Sequence, residues 1–243
     1  LCYSILVRRI SLWSTPRTVS TACLRAFAGR EDCIGVDEPF YAHYLSKTGK
    51  QHPMREEVLA ALSSDWRKVV DEVLLGESPL PIQFVKQMSH HMVGEMEWGW
   101  VDHPDMRHVF LLRDPQEQLP SMERDLGVIE MEDVGWKKHF SIFQRVSNPI
   151  VLDSRDLLEN PEAMLRCLCR ELELDFKDCM IQWEPGRHES YGVWAPFWYK
   201  TLETTTGFQE WKPKLDSFPD SLRALLKDTQ PIYKEMRAVR LVP

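Results

Sequence analysis

The chain has 243 residues, 43% of them hydrophobic, which is enough for one substantial core, and it carries 30 basic against 37 acidic residues. A net charge of −7 argues against a protein whose main task is gripping nucleic acid or another polyanion. The longest apolar runs are far too short to cross a bilayer.

Short apolar runs alternate with helical patterns along the whole chain. That alternation predicts an α/β fold of three layers, a central parallel sheet with helices on both faces. The first strand is expected at "RISLW" (9–13), followed by a helix with Val19, Cys23, Leu24 and Phe27 on its apolar face. The second strand is "CIGVD" (33–37) and the third "IQFVK" (82–86). The fourth, "HVFLLR" (108–113), runs into Asp114-Pro115, a good helix start, with Leu119, Met122 and Leu126 along one side. The fifth is "PIVLD" (149–153); Asn160-Pro161 then opens a helix with Leu165, Leu168, Cys169 and Leu172 as its buried stripe. The segment 183–208 is rich in aromatics and glycine, with weak periodicity, and reads as a loop and helix covering something. Pro219 opens a closing helix that buries Leu222, Leu225 and Leu226.

No linker, repeat or low-complexity tract divides the chain, so one domain over 1–243 is expected. Cys2, Cys23, Cys33, Cys167, Cys169 and Cys179 lack a zinc-type CxxC pair and read as reduced packing residues. The opening "LCYSILVRRI" is too short and weakly organised for a signal peptide, so a cytoplasmic location is expected. The sequence leaves the oligomeric state open.

In parallel sheets, ligands collect beyond the carboxyl ends of the strands. After the first predicted strand lies "WSTPRTVSTACLRAF" (13–27). A turn feeding a helix N-terminus presents backbone N–H groups that favour an anion. Arg17 adds a planar charged fork, and Ser20 and Thr21 add hydroxyls. The same stretch is also compatible with an ordinary helix start beside an incidental arginine. A magnesium-nucleotide loop is disfavoured, because the stretch has neither the glycines nor the lysine such a loop requires. Arg113 leaves the fourth strand and Ser121 follows in the next helix, placed to converge on one phosphate.

Together these two stretches resemble sulfotransferases that use 3′-phosphoadenosine 5′-phosphosulfate (PAPS). The segments "VDEPFYAHYL" (36–45), "FVKQMSHHM" (84–92), "VLDSRDLLENPEAMLR" (151–166) and "YGVWAPFWYKTLETTTGF" (191–208) are similar to a widespread sulfotransferase-like group. The resemblance runs from about Ile10 to about Tyr233. It implies a P-loop-like strand–loop–helix at the first strand. Pro16, Arg17, Thr18, Ser20 and Thr21 would hold the phosphosulfate, and Arg113 with Ser121 the 3′-phosphate. Thr206 and Gly207 would lie in a late loop closing on the nucleotide. The resemblance departs at "TPRTVST", where better-studied relatives often carry Lys or Arg with glycine.

Sulfuryl transfer needs positioning, charge stabilisation and a base for the acceptor's proton. Glu38, at the end of the second strand, is one candidate base, although it also suits a salt bridge to Arg17. His90 and His91 follow the third strand and form a second possibility, though adjacent histidines often serve packing. Lys86 would stabilise the bridging oxygen, or be a solvated strand end. Phe40, His43, His91, Trp194 and Trp198 are candidates for contact with a small acceptor; the aromatics suit a pocket wall or the core equally. Two other readings stand beside this one. One is a nucleotide-binding module without catalysis, and the other a small-molecule kinase.

Overall fold

The computed structural model describes residues 7–213 and 217–243. Cys2 lies outside the described residues. Five parallel strands form one sheet: β1 (Arg8–Ser14), β2 (Cys33–Asp37), β3 (Ile82–Met88), β4 (Met106–Leu112) and β5 (Ile150–Asp153). Their order is β2-β3-β1-β4-β5, so β1 is central and its neighbours come from later in the chain. The chain moves to one side of β1 for β2 and β3, then crosses to the other for β4 and β5. That reversal opens a crevice at the carboxyl end of β1.

The alternation of side chains along the strands builds two cores. Ile10, Leu12, Phe84, Val109 and Leu111 pack on one face. Trp13, Val85, Phe110 and Leu112 pack on the other. Helices cover both. After β1 comes α1 (Ser20–Ala28), whose Phe27 stacks on Phe84 with ring centroids 4.0 Å apart. Its close seat on the sheet requires Gly35 in β2, where a Cβ would lie 2.7 Å from the Ala28 methyl. Between β2 and β3 come α2 (Tyr41–Thr48), α3 (Arg55–Ala61) and α4 (Trp66–Lys68), the last running into a π-helical segment at Val69–Leu74. Between β4 and β5 lie α5 (Pro115–Leu126), α6 (Met131–Val134) and α7 (Trp136–Arg145). α8 (Ser154–Glu159) and α9 (Pro161–Glu171) follow β5, then the short α10 (Ala195–Trp198) and α11 (Arg223–Arg237).

The predicted elements fall where the sequence placed them, with local differences. Asp114 caps α5 by accepting from the Gln116 N–H, and Asn160 caps α9 through the Ala163 N–H. Leu126 is not part of the buried stripe of α5. It is 40% exposed, because the last turn of α5 runs past the sheet to the rim of the crevice. Pro219 precedes a single 3₁₀ turn, and Leu225 and Leu226 are only partly buried. Cys23, Cys33, Cys167, Cys169 and Cys179 are unpaired. Burial pushes the Cys23 thiol up to about 12, so it behaves as an inert packing group. Among the described residues no helix is long and apolar enough to cross a membrane.

Candidate functional site

The loop from β1 to α1 is held in a conformation that side chains disfavour. Arg17 has φ 64° and Val19 φ 62°, with Thr18 between them. A β-branched residue in the left-handed region is strained, and such strain persists where the surroundings impose it. Here Thr18 Oγ1 donates to the Thr15 carbonyl at 2.9 Å, and the Gln118 amide donates to Thr15 Oγ1 and the Pro16 carbonyl. Val19 is the N-cap of α1 and supplies no side-chain acceptor, so the first N–H groups of the helix face the crevice uncapped. An anion would satisfy them.

Two arginines flank that helix end. The Arg17 Nε–H donates to Ser121 Oγ at 3.3 Å and lies 3.0 Å from Asp125 Oδ2. Arg113 Nη1 donates to the Arg17 carbonyl at 2.8 Å, while its Nε–H faces Glu117 at 3.3 Å. Residues some hundred positions apart thus meet because β1 and β4 are neighbours. Glu117 also accepts from the Trp211 indole N–H at 2.9 Å, which pins the late loop beside Arg113.

Across the crevice, Lys86 leaves β3 and is 2% exposed. Its ammonium, with three N–H donors, has four acceptors within reach: Glu38 Oε1 at 2.7 Å, Asp37 Oδ1 at 3.1 Å, Thr21 Oγ1 at 2.9 Å and the Tyr199 hydroxyl at 2.6 Å. A lysine this deeply buried stays charged because two carboxylates surround it, and they raise its pKa against the opposing effect of burial. Glu38 is turned onto Lys86 by a kinked backbone, φ 41°, with its N–H donated to the Lys86 carbonyl. Burial is the main cause that pushes the Glu38 carboxyl above the usual range; Lys86 opposes this and Asp37 adds to it.

Both ends belong to one cavity of about 360 Å³. Beyond Glu38 its wall is aromatic and imidazole: Tyr41, Tyr44, His52, His90, His91 and Trp198. His91 stacks between Tyr41 and Tyr44, with centroids 4.7 and 4.8 Å away. Burial drives His90 down to about 3 and His91 well below its ordinary value, so both rings are neutral near neutrality. His91 Nε2 lies 3.9 Å from Glu38 Oε2, beyond a good hydrogen bond.

A strained anion-ready loop, a converging arginine–serine pair and a buried lysine–carboxylate group thus stand on one parallel sheet. The family described as "Sulfotransferase domain" matches residues 8–240. The chain belongs to that sulfotransferase family. Among solved structures, this sulfotransferase is similar to the sulfotransferase domain from the curacin biosynthetic pathway, with TM-score 0.60 and 16% identity, covering 99% of this chain and 100% of that one. It is also similar to the sulfotransferase domain from the Synechococcus PCC 7002 olefin synthase, with TM-score 0.54 and 14% identity over 94% of this chain and 96% of that one. At these identities the likeness is one of fold. Among curated proteins it is 33% identical over 235 residues to branched-chain-amino-acid aminotransferase-like protein 2 of Arabidopsis thaliana, and 34% over 236 residues to protein 1. Each alignment covers 94% of this chain and 41% of the relative, so those names describe much longer proteins.

The sulfotransferase cleft gathers most of the residues expected from sequence, and leaves some out. Pro16, Arg17, Thr18, Ser20, Thr21, Arg113, Gly207, Glu38, Lys86, His90, His91 and Trp198 line it, and Ser121 reaches it through Arg17. Gly207 sits where a Cβ would lie 2.8 Å from the Ile181 carbonyl, so the late loop can press in only with glycine there. Four expected contacts lie elsewhere. Phe40 is packed in the core against Trp100. His43 has both ring nitrogens on the carbonyls of Ser64 and Val93, making it a clip between loops. Trp194 is core and donates its indole N–H to Tyr199. Thr206 offers its carbonyl to the Trp183 N–H, while Thr205 lines the cleft. Lys86 is no solvated strand end, because α1 and Tyr199 cover it. Glu38 pairs with Lys86 rather than with Arg17. Asp37, Asp125 and His52 were not singled out for the chemistry. The strand-end rule points to Asp37, but no local pattern singles out the other two.

Proposed function

We propose that the chain transfers the sulfuryl group of PAPS to the hydroxyl or amine of a small acceptor and releases adenosine 3′,5′-bisphosphate. The observation that carries this reading is the position of Lys86, whose ammonium is bonded both to Thr21 in the first turn of α1 and to Glu38. A donor seated on the uncapped N–H groups of α1 has its phosphosulfate beside that ammonium. The Arg17–Ser121–Arg113 group suits the 3′-phosphate, since guanidinium forks match phosphate oxygens.

In the proposed step the acceptor oxygen forms a bond to sulfur while its proton passes to the Glu38 carboxylate. The bond from sulfur to the bridging oxygen breaks, and its electron pair stays on the departing 5′-phosphate. Lys86 stabilises the charge that develops there. Glu38 suits the base better than His90, because a carboxyl raised by burial accepts a proton more readily than an imidazole held near 3. The cavity beyond Glu38 takes the acceptor. The unpaired cysteines support a reducing, cytoplasmic setting, and we read 1–243 as one domain.

Calorimetric titration with adenosine 3′,5′-bisphosphate, beside magnesium-ATP, tests the reading on the wild type and Arg113→Ala. Selective binding of the bisphosphate, lost in the variant, is expected. Preference for magnesium-ATP would favour a kinase and overturn the reading.

A further inference from the structure

Two carboxylates face one ammonium in the buried group, so their roles must differ. Asp37 accepts from three donors: Lys86 at 3.1 Å, the Tyr199 hydroxyl at 2.8 Å and the Gly192 N–H at 3.1 Å. Glu38 touches Lys86 with Oε1 and lines the cleft. The Tyr199 hydroxyl stands between them. Its one proton goes to Asp37, leaving its lone pairs to accept from Lys86 at 2.6 Å and from the Trp194 indole at 2.9 Å. Its distance to Glu38 Oε1 is 3.3 Å. The ring itself lies against the ammonium, 4.8 Å from its centroid.

We propose that Tyr199 and Asp37 are positioning residues: Asp37 holds the Tyr199 hydroxyl, which fixes the Lys86 ammonium between Glu38 and the first helical turn. The late segment then does more than wall the cleft. Gly192, Trp194 and Tyr199 together hang on the end of β2, and they set the geometry of a group whose other members come from β2, β3 and α1. Without the tyrosine hydroxyl, Lys86 has no acceptor on that side and swings toward Asp37, which has lost a donor. Glu38 is then less well neutralised. The proposal rests on the reading of Glu38 as the base, but its test does not require turnover.

Glu38 is faced by Lys86 on β3, Asp37 on β2, Tyr199 at the end of α10, His91 after β3 and Tyr41 on α2. Asp37 raises the Glu38 carboxyl by its charge, whereas Lys86 and Tyr199 lower it. The two positioning residues therefore act in opposite directions. Infrared titration of the full chain reads this through the protonated-carboxyl band that disappears in Glu38→Gln. Tyr199→Phe is expected to move the midpoint of that band to higher pH, and Asp37→Asn to lower pH. A midpoint unchanged in Tyr199→Phe overturns the proposal, as does a Tyr199→Phe shift that is equally large in the Asp37→Asn background, because Asp37 would then not be acting through the tyrosine hydroxyl. Failure of the sulfotransfer reading would appear separately, in the bisphosphate titration of the wild type.

Discussion

The Arg17 guanidinium lies 3.0 Å from the Asp125 carboxylate at the mouth of the cleft, the same Nε–H that reaches Ser121. A carboxylate at this position competes with any phosphate for Arg17. Both partners are substantially exposed, so water and salt weaken the pair. Asp125→Asn should therefore tighten binding of adenosine 3′,5′-bisphosphate by about 0.5–1 kcal/mol, roughly two- to fivefold at low salt. Arg113→Lys should weaken it, because a point charge cannot both hold the Arg17 carbonyl and present a fork. Calorimetry of the two variants checks this; an Asp125→Asn protein that binds no better than wild type contradicts the competition.

Among the described residues Lys86 is the only cation bonded within the buried group, and removing it leaves Asp37 and Glu38 together without that counter-charge. Breaking a buried pair by deleting one partner costs about 3–5 kcal/mol. Lys86→Met should lower the urea midpoint accordingly at neutral pH. Lys86→Met combined with Glu38→Gln should recover part of the loss, because only one carboxylate then remains. Equal midpoints for the single and double variants would refute the charge argument.

The strands were legible because each is a short apolar run, largely buried on both faces of the sheet, and the first loop because Arg17, Ser20 and Thr21 stand at the start of a helix that follows a strand. Arg113 and Ser121 could be paired from sequence only through the rule that ligands gather at strand ends, and the bond that Ser121 makes is to Arg17. Other contacts had no such guide. Tyr199 meets Asp37 across 162 positions, and no periodicity connects an aromatic-rich loop to the end of β2. Lys86 could be read either as a charge stabiliser or as a solvated terminus, because sequence does not reveal that β3 lies between β2 and β1. Leu126 fitted the helical stripe, but its turn has a cleft beside it in place of a core. His43 has the residue type of a ligand, and only the fold shows both nitrogens occupied by carbonyls.

Burial holds His139 at about 3, where its unfolded value is 6.5. Between those values the unfolded chain takes up a proton that the folded protein refuses. Stability therefore falls as pH drops from about 6.5 toward 3, by about 1.4 kcal/mol per pH unit for this one group. His90 acts in the same direction, while Glu38, whose carboxyl is raised on folding, opposes both. His139→Gln should flatten the decline in urea midpoint between about pH 6.5 and 5 relative to wild type. It keeps a polar partner for the Ser89 hydroxyl, which lies 2.8 Å from His139 Nδ1. An unchanged slope would show that His139 binds its proton equally in both states.

With the acceptor seated beyond Glu38, as proposed, the cleft should discriminate by charge. Its lining carries the carboxyl groups of Glu38 and Asp133, and Lys50 is already paired with Asp133. Burial lowers His52, His90 and His91, leaving neutral imidazoles, and Lys86 is committed to its own carboxylates. An anionic acceptor would lose its hydration there without meeting a free cation among the described residues at that end, whereas an uncharged alcohol with an apolar body finds Tyr41, Tyr44 and Trp198. For an alcohol that turns over, kcat/KM should exceed that of its carboxylated analogue by at least about tenfold, the equivalent of about 1.4 kcal/mol. Raising the salt concentration should narrow the ratio only slightly, since the charges concerned are buried. An anionic acceptor used as well as its neutral counterpart would mean that a cation reaches this end of the cleft during turnover, and Arg17 would be the first residue to substitute.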